Sequence, residues 1–422
     1  MKSFQSPKGT QDILPPQSAR WVELVGRFTD LAQRFGFGLV MSPGFEEAEV
    51  FRRSSGDSSD VVTKEMYEFK DRGGRDIALR PEGTASVVRA FVQHSPLPPF
   101  KAWYAAPMFR YERPQAGRFR QHHQLGVEII GTDDPMADVE VISLLARLYA
   151  ELDLSSLRLR VNSLGDANCA PGYREQLAAY LEAHAEELCD EHRFKWALNP
   201  LRILDCKRPE CRKVSAGAPR LRDALCDDCR RHFTDVLAGL DRLQISYEQD
   251  DFLVRGLDYY TRTTFEYGSD TLEGVGGGGR YDGLVAALGG PELSGVGFGA
   301  GIERILLACD ADGALSPGEM RFSRGLDVFV VDGTDVGVAL ELCDELRAAG
   351  LAVERAFDGR SIKAQLKAAD RSGARLACIV GADDLAEGLV TIRVLRGSDA
   401  HQQEKVGRQA LAGRLYEITR SP

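Results

Sequence analysis

The sequence predicts an α/β and α+β multidomain protein: a strand-rich α+β block, split by a helical insertion, then a separate α/β domain. Three observations predict it. Residues 165–245 read as helical, rich in cysteine and charge, and lie between two stretches with strand signals. From Leu326 onward strand patterns alternate with helix patterns, as a largely parallel α/β unit of about 95 residues requires. Met108–Gly131 reads as strand, tight basic loop, strand, with Pro114 and Gly117 breaking the ladder. The 422 residues suit roughly two to four domains. The boundaries expected are 1–164 and 246–320 for the two parts of the first block, 165–245 for the insertion and 326–422 for the last domain.

The elements follow in order. Residues 16–36 form an amphipathic pattern entered after Pro15-Pro16; Phe37–Met41 reads as a strand that Pro43-Gly44 ends. Ile77–Leu79 is a short strand, and Thr84–Gln93 a helix with Thr84 as cap, stopped before Pro96. Lys101–Tyr111 and Leu125–Ile130 are apolar enough to pair. Asp134-Pro135 opens a helix to about Glu151. After the insertion, strands are expected at Phe252–Val254 and Thr263–Tyr267, a glycine-rich turn at Gly274–Gly279 and a helix at Val296–Cys309. Pro317–Gly325 reads as a linker. Beyond it come strand Asp327–Val331, helix Val336–Ala349, strand Ala352–Ala356, helix Ser361–Ser372, strands Leu376–Val380 and Leu389–Val394, and a final helix.

Composition bounds the function. No run of about 18 apolar residues exists, so a membrane span is not expected. The N-terminus lacks the apolar core of a secretory signal. Nine cysteines, four of them clustered, suit a reducing cytoplasm better than a disulfide scaffold. A net charge of −10 argues against non-specific coating of nucleic acid but leaves room for a local footprint. Such a patch is present: Arg110, Arg113, Arg118 and Arg120 crowd the basic hairpin against Glu112. Guanidinium forks on rigid strands suit a polyphosphate, each gripping two oxygens.

The motifs then converge. Phe109-Arg110-Tyr111-Glu112 resembles motif 2 of the class II aminoacyl-tRNA synthetases. Gly297-Phe298-Gly299-Ala300-Gly301-Ile302-Glu303-Arg304 resembles their motif 3, and Phe45-Glu46 sits where the dimer-forming motif 1 is expected. Pro7–Asp12, Leu253–Tyr260 and Gly276–Asp282 resemble the histidyl-tRNA synthetases in particular, and the likeness runs through the whole chain. Such a resemblance implies an antiparallel-sheet catalytic core with a helical insertion and a C-terminal α/β anticodon-binding domain. It implies a histidine–tRNA ligase: L-histidine and ATP give histidyl-adenylate and pyrophosphate, then histidine passes to the 3′ end of its tRNA. Mg2+ would accompany ATP, and the partners would be the tRNA for histidine and a second copy of the chain in a homodimer.

Carried over residue by residue, the resemblance implies that Arg110 contacts the α-phosphate, while Arg118 and Arg304 hold the β/γ end. Arg255 stands beside the reacting carboxylate and α-phosphate as fixed positive charge; a salt bridge to Asp258 or a similar carboxylate is its plainer role. Glu82, Thr84 and Gln124 fall on the ammonium side of histidine, and Glu128 and Tyr260 on the imidazole side; Gly83 and Tyr259 complete the implied histidine-binding set. Glu128 lies on an otherwise apolar strand and needs a partner. His122 stands where many family members carry an adenine-stacking phenylalanine; it either stacks or faces solvent as a polar strand residue. Gly276–Gly279 is no P-loop, since no Gly-Lys-Ser/Thr follows, and serves either close approach to substrate or a plain turn.

Cys206, Cys211, Cys226 and Cys229 offer four thiolates at spacings that suit one tetrahedral structural Zn2+; a reduced, partly buried set also accounts for them. From Arg321 to Pro422 there are 15 Lys/Arg and 15 Asp/Glu, so an RNA face there must come from local clusters such as Arg360, Lys363 and Lys367. The competing function is a non-catalytic histidine-sensing regulatory paralogue of ATP phosphoribosyltransferase. Such paralogues usually lack the C-terminal domain and the Arg255 segment, both present here.

Overall fold

Alternation along Gln121–Ile130 sends Leu125, Val127 and Ile129 to one face of a strand and His122, Gln124, Gly126 and Glu128 to the other. The sheet built around that strand organises the first part of the molecule. The computed structural model describes residues 4–56, 59, 61–113, 115–316, 320–322, 325–334, 336–357, 359–397 and 399–420. The chain divides into two units, Met1–Met320 and Arg321–Pro422.

The strands of the first unit are β1 (Gly38–Leu39), β2 (Phe45–Glu47), β3 (Tyr67–Lys70), β4 (Asp76–Leu79), β5 (Phe100–Phe109), β6 (Gln121–Ile130), β7 (Arg158–Ser163), β8 (Glu248–Gln249), β9 (Thr261–Gly268), β10 (Gly276–Arg280) and β11 (Gly295–Gly301). Eight of them form one sheet in the order β1-β5-β6-β11-β10-β9-β7-β8, antiparallel through its centre and parallel only at the two edge pairs. Strands β2, β4 and β3 form a small antiparallel sheet.

Helices Gln17–Arg34 and Pro135–Glu151 cover one face of the large sheet. Leu24, Phe28, Leu31, Ile142, Leu145 and Leu148 pack there on Leu125, Val127, Phe265 and Phe298, all at most 1% exposed. Each such side chain contributes ~1.5–3 kcal/mol by leaving water. On the opposite face helix Thr84–His94 brings Val87, Val88 and Phe91 against Ala102, Tyr104 and Tyr281. The insertion is helical, with Ala170–Ala183, Leu201–Leu204, Pro209–Ala216 and Asp227–Arg242, and has its own small core.

Several expected elements differ. Only Gly38–Leu39 of Phe37–Met41 is paired strand. Phe252–Val254 is not a strand, because Asp250 turns the chain: its side chain accepts the Phe252 N–H and its carbonyl the Leu253 N–H. Gly276–Gly279 is not a turn but the middle of the sheet, hydrogen-bonded to β9 and β11. Residues 295–301, expected to begin a helix, are β11; the helix is Ile302–Asp312. The pattern Gly-Val-Gly-Phe-Gly-Ala-Gly has period two, and its small residues are not a helical signal.

In the second unit β12 (Val328–Asp332), β13 (Val353–Arg355), β14 (Leu376–Val380), β15 (Leu389–Val394) and β16 (Gln403–Gly407) form a sheet in the order β13-β12-β14-β15-β16. The first three are mutually parallel and the last two antiparallel. Strand β16 was not expected. Helices Val336–Ala348, Ile362–Ser372 and Leu411–Arg420 accompany the sheet, and Ser361 caps the second through its hydroxyl. Of the expected linker, residues 317–319, 323 and 324 lie outside the described residues, as does Pro114 of the basic hairpin.

Candidate active site

The side chains that point away from the helical layer form the floor of the site. On β11 that face carries Gly295, Gly297, Gly299 and Gly301, opposite Ile130, Glu128, Gly126 and Gln124 of β6. A Cβ on Gly297 would lie 1.8 Å from Glu128 Oε2, and one on Gly277 of β10 would lie 2.8 Å from Arg255 Nη1. One on Gly279 would lie 3.0 Å from the ring of Tyr260. The glycines therefore let Glu128, Arg255 and Tyr260 lie close over the sheet.

Glu128 is fully buried. Its Oε1 accepts from Thr84 Oγ1 at 2.7 Å and its Oε2 from the Tyr281 hydroxyl at 2.7 Å. Burial raises its pKa to about 8, even though both hydroxyls act to lower it, and Glu82 adds to the rise. Glu82 is buried too. Its carboxylate accepts the backbone N–H of Thr84 at 2.6 Å and of Ala85 at 2.8 Å. Glu82, not Thr84, thus caps helix Thr84–His94, and the Thr84 hydroxyl is turned toward Glu128 instead. Burial raises the Glu82 pKa against those two N–H groups and the charge of Arg110. Gly83 is needed where Tyr104 packs, since a Cβ there would lie 2.3 Å from the phenol ring.

Three tyrosines line the same side. The Tyr259 and Tyr260 rings lie 4.6 Å apart, and Tyr259 meets Tyr281 edge-on at 5.9 Å. The Tyr259 hydroxyl is buried with no hydrogen-bond partner among the described residues. Arg255 pairs through Nη1 with Glu266 rather than with Asp258, and its buried Nε has no partner among the described residues. Glu266 also holds Arg160 at 2.8 Å.

The second group of cations lies at the basic hairpin and the start of helix Ile302–Asp312. Arg110 Nε donates to the Pro81 carbonyl at 2.8 Å, and Glu112 lies 3.9 Å from Arg110 and 3.6 Å from Arg118. Arg304 Nε donates to the Gly274 carbonyl at 2.9 Å, and its Nη2 to that of Glu273. Burial, and next the positive charge of Arg118, lower the Arg304 pKa; the Arg304 side chain lies against the turn of the hairpin, where a Cβ on Gly117 would come 3.2 Å from its Cγ. Arg120 is occupied otherwise, stacked over the Tyr111 ring at 3.7 Å. His122 is half-buried; burial first, then Arg110, lowers its pKa to about 3, so the ring is neutral at pH 7. Gln124 lies two residues further along the same face.

Glu82, Glu128, Tyr259, Tyr260 and Arg255 lie near enough to influence one another's titration. Arg110 links that group to His122. Sequence reasoning gave no role to Tyr281, Tyr104 or Glu266. The signal for Tyr281 was the buried carboxyl on β6, which needed a second hydroxyl donor.

The four expected zinc cysteines do not form one group. Cys206 and Cys211 cluster with Cys189 and His192, whereas Cys226 and Cys229 cluster with Asp166 and Cys169. The reason is topological: Cys211 is on the short helix Pro209–Ala216, while Cys226 precedes the last helix of the insertion, Asp227–Arg242, and Cys229 lies in its first turn.

Comparison with known proteins identifies the family. A profile of the histidyl-tRNA synthetase family matches residues 9–305, and one of the anticodon-binding domain matches residues 327–418. The histidine–tRNA ligase of Moorella thermoacetica is 48% identical over 408 residues, 95% of either chain. That of Rhodococcus erythropolis is 47% identical over 424 residues, 99% of this chain and 98% of its own. The crystal structure of apo S. aureus histidyl-tRNA synthetase aligns with a TM-score of 0.80 at 34% identity, over 98% of this chain and 100% of that one. A Bacillus halodurans protein described as an ATP phosphoribosyltransferase regulatory subunit/histidyl-tRNA synthetase shares the fold, with a TM-score of 0.64 at 21% identity over 90% of this chain and 100% of its own. The chain belongs to the histidyl-tRNA synthetase family of the class II aminoacyl-tRNA synthetases.

Proposed function

We infer that this site makes histidyl-adenylate from L-histidine and ATP and passes histidine to the 3′ end of its tRNA, as a histidine–tRNA ligase. The observation that carries the reading is a buried carboxyl set for a polar ring on one sheet face, with guanidinium groups for a polyphosphate on the adjoining hairpin and helix start. In the first step the histidine carboxylate attacks the α-phosphate and pyrophosphate leaves. Arg110 and Arg255 hold positive charge at the α-phosphate, where charge develops on the equatorial oxygens. Arg118 and Arg304 take the β/γ end. The neutral ring of His122 offers a face to adenine.

Glu82, Thr84 and Gln124 receive the α-ammonium of histidine, and Gly83 lets Tyr104 pack beside them. Glu128, Tyr259 and Tyr260 meet the imidazole, and Tyr281 and Thr84 hold the Glu128 carboxyl in place. An apolar amino acid would leave these buried groups unpaired, which selects for histidine.

Mg2+, which takes one or two carboxylates with phosphate oxygens, would neutralise charge on the polyphosphate. Glu112, beside Arg110 and Arg118, and Glu266, beside Arg255, are the carboxylates next to these guanidinium groups and would hold the ion. A homodimer belongs to the same reading. Leu39, Met41 and Phe45 are 52%, 86% and 56% exposed beside the edge strand β1, which supports a symmetric interface around residues 40–52. A cytoplasmic setting is supported by nine cysteines free of disulfides; no helix among the described residues is long and apolar enough to cross a membrane.

Histidine-dependent exchange of pyrophosphate into ATP tests the reading. Exchange with histidine but not with other amino acids is expected. Histidine binding without exchange would instead favour the regulatory paralogue.

A further inference from the structure

The insertion has a small core for its length. Twelve buried apolar residues serve four helices, one of only 4 residues, and several 3₁₀ turns. Segments of this kind ordinarily need a covalent or metal staple to hold one arrangement. Six of the nine cysteines lie here, all as free thiols, and they fall into two groups of compact geometry.

In the first group Cys189, His192, Cys206 and Cys211 present Sγ, Nδ1 or Nε2 atoms that all lie within 4.8 Å of one another. His192 Nδ1 is 3.3 Å from Cys189 Sγ and 3.6 Å from Cys211 Sγ. A zinc tetrahedron with Zn–S about 2.3 Å and Zn–N about 2.0–2.1 Å has S···N edges of about 3.5 Å. The spacing is Cys-x2-His followed by Cys-x4-Cys.

In the second group Asp166, Cys169, Cys226 and Cys229 meet the same limit. Asp166 Oδ1 lies 3.6 Å from Cys169 Sγ and 3.9 Å from Cys226 Sγ, close to the S···O edge of about 3.5–3.6 Å that the same geometry requires. Its other oxygen, Oδ2, faces Arg262 at 3.6 Å. Gly165, at φ +68°, precedes this ligand loop; a Cβ there would lie 2.6 Å from Cys169 Sγ. The spacing is Asp-x2-Cys followed by Cys-x2-Cys.

We propose that the insertion binds two structural zinc ions, one through Cys189, His192, Cys206 and Cys211, and the other through Asp166, Cys169, Cys226 and Cys229. The two do different mechanical work. The second joins the chain where it leaves β7 to the start of helix Asp227–Arg242, and so clamps the two ends of the insertion together. The first ties the irregular middle of the insertion to the short helix Pro209–Ala216. Three thiolates per site are soft donors that select zinc over magnesium or calcium.

Elemental analysis of the purified full chain, dialysed without chelator, is expected to give two zinc ions per chain. Cys211→Ser and Cys226→Ser should each lose one, independently. Absorption at the zinc edge should show an average shell of three sulfurs and one lighter atom per metal, and cobalt exchanged for zinc should show thiolate charge-transfer bands in both single variants. The wild-type measurement does not depend on any variant folding. Zero or one zinc per chain overturns the two-site proposal. So does a chain free of metal in which fewer than nine thiols titrate, since the clusters would then be disulfides. Loss of both ions in either variant with the insertion still helical would overturn the assignment of separate ligand sets.

Discussion

A carboxyl buried away from solvent is harder to ionise than an exposed one, even where hydroxyls donate to it. Glu128 is in that position, with its pKa raised to about 8 against about 4.5 in the unfolded chain. The sign of the pH effect follows. The unfolded chain gives up this proton at lower pH than the folded one, so stability from Glu128 is full below about pH 4.5. It is lost as pH rises toward 8, by up to about 1.4 kcal/mol per pH unit. Glu128→Gln keeps the shape of the neutral acid without its titration. Its melting temperature should therefore gain on that of the wild type steadily between pH 5 and pH 8, and a constant difference would mean the carboxyl ionises normally. The same variant should raise the KM for histidine much more than that for ATP, because the ring loses a partner that can exchange a proton with it; equal changes would point to general loosening. Arg255 acts in another way. Its guanidinium is paired with Glu266, and in the proposed role it would be preorganised for charge that develops only in the transition state. Arg255→Ala should slow pyrophosphate exchange by about 10²–10³ while calorimetric histidine binding persists. Near-normal exchange would remove Arg255 from the catalytic group.

Glycine, at every second residue of β11 and at four consecutive positions of β10, is what clears one face of both strands beneath Glu128, Arg255 and Tyr260. Strand β11 places Val296, Phe298 and Ala300 in the core and leaves only hydrogen atoms on its other face, where Glu128 and Gln124 need room. Gly297→Ala would put a methyl group 1.8 Å from Glu128 Oε2 and 2.5 Å from the Val127 carbonyl. Since backbone is one of the obstacles, the carboxyl must move. Overpacking of this kind costs ~1–3 kcal/mol, and the expected result is a rise of about 5–100-fold in the histidine dissociation constant with ATP affinity largely kept. An unchanged histidine constant would show that the site face is assigned wrongly. The same strands mark where the sequence is readable and where it is not. Strands β5 and β6 stand out because branched and aromatic residues carry their pattern, and the arginine platform is written into the loop between them. Strands β10 and β11 hide because glycine has low intrinsic preference for a strand; what reveals them is the partner residue above each glycine, which only the fold brings in. For the same reason Thr84 read as a helix cap: the competition from Glu82, two residues earlier, and from Glu128, 44 residues later, is decided in three dimensions. The cysteines divided where spacing alone suggested one set, because His192 and Asp166 are invisible to a count of thiols.

At the level of the whole chain, the proposed chemistry falls within one unit: every arginine, carboxyl and tyrosine proposed for adenylate formation precedes Met320. The second unit has a five-stranded sheet with its own core of Val328, Val330, Leu376, Cys378 and Ile392. The anticodon-binding profile spans it from 327 to 418. Its charges balance, so its hold on RNA must come from clustered cations and from stacking and edge contacts to unpaired bases rather than from a general field. Removing residues after about 325 should therefore leave a folded first unit that still exchanges pyrophosphate with histidine and ATP. Each lost contact to a splayed base is worth ~1–3 kcal/mol, so the KM for the tRNA should rise by about 10–100-fold or more. Exchange and charging have to be measured on the same preparation, with circular dichroism to establish that it is folded. A folded truncated chain that charges its tRNA as well as the full chain does would mean that the tRNA is recognised wholly within the first unit, and the second would need another role.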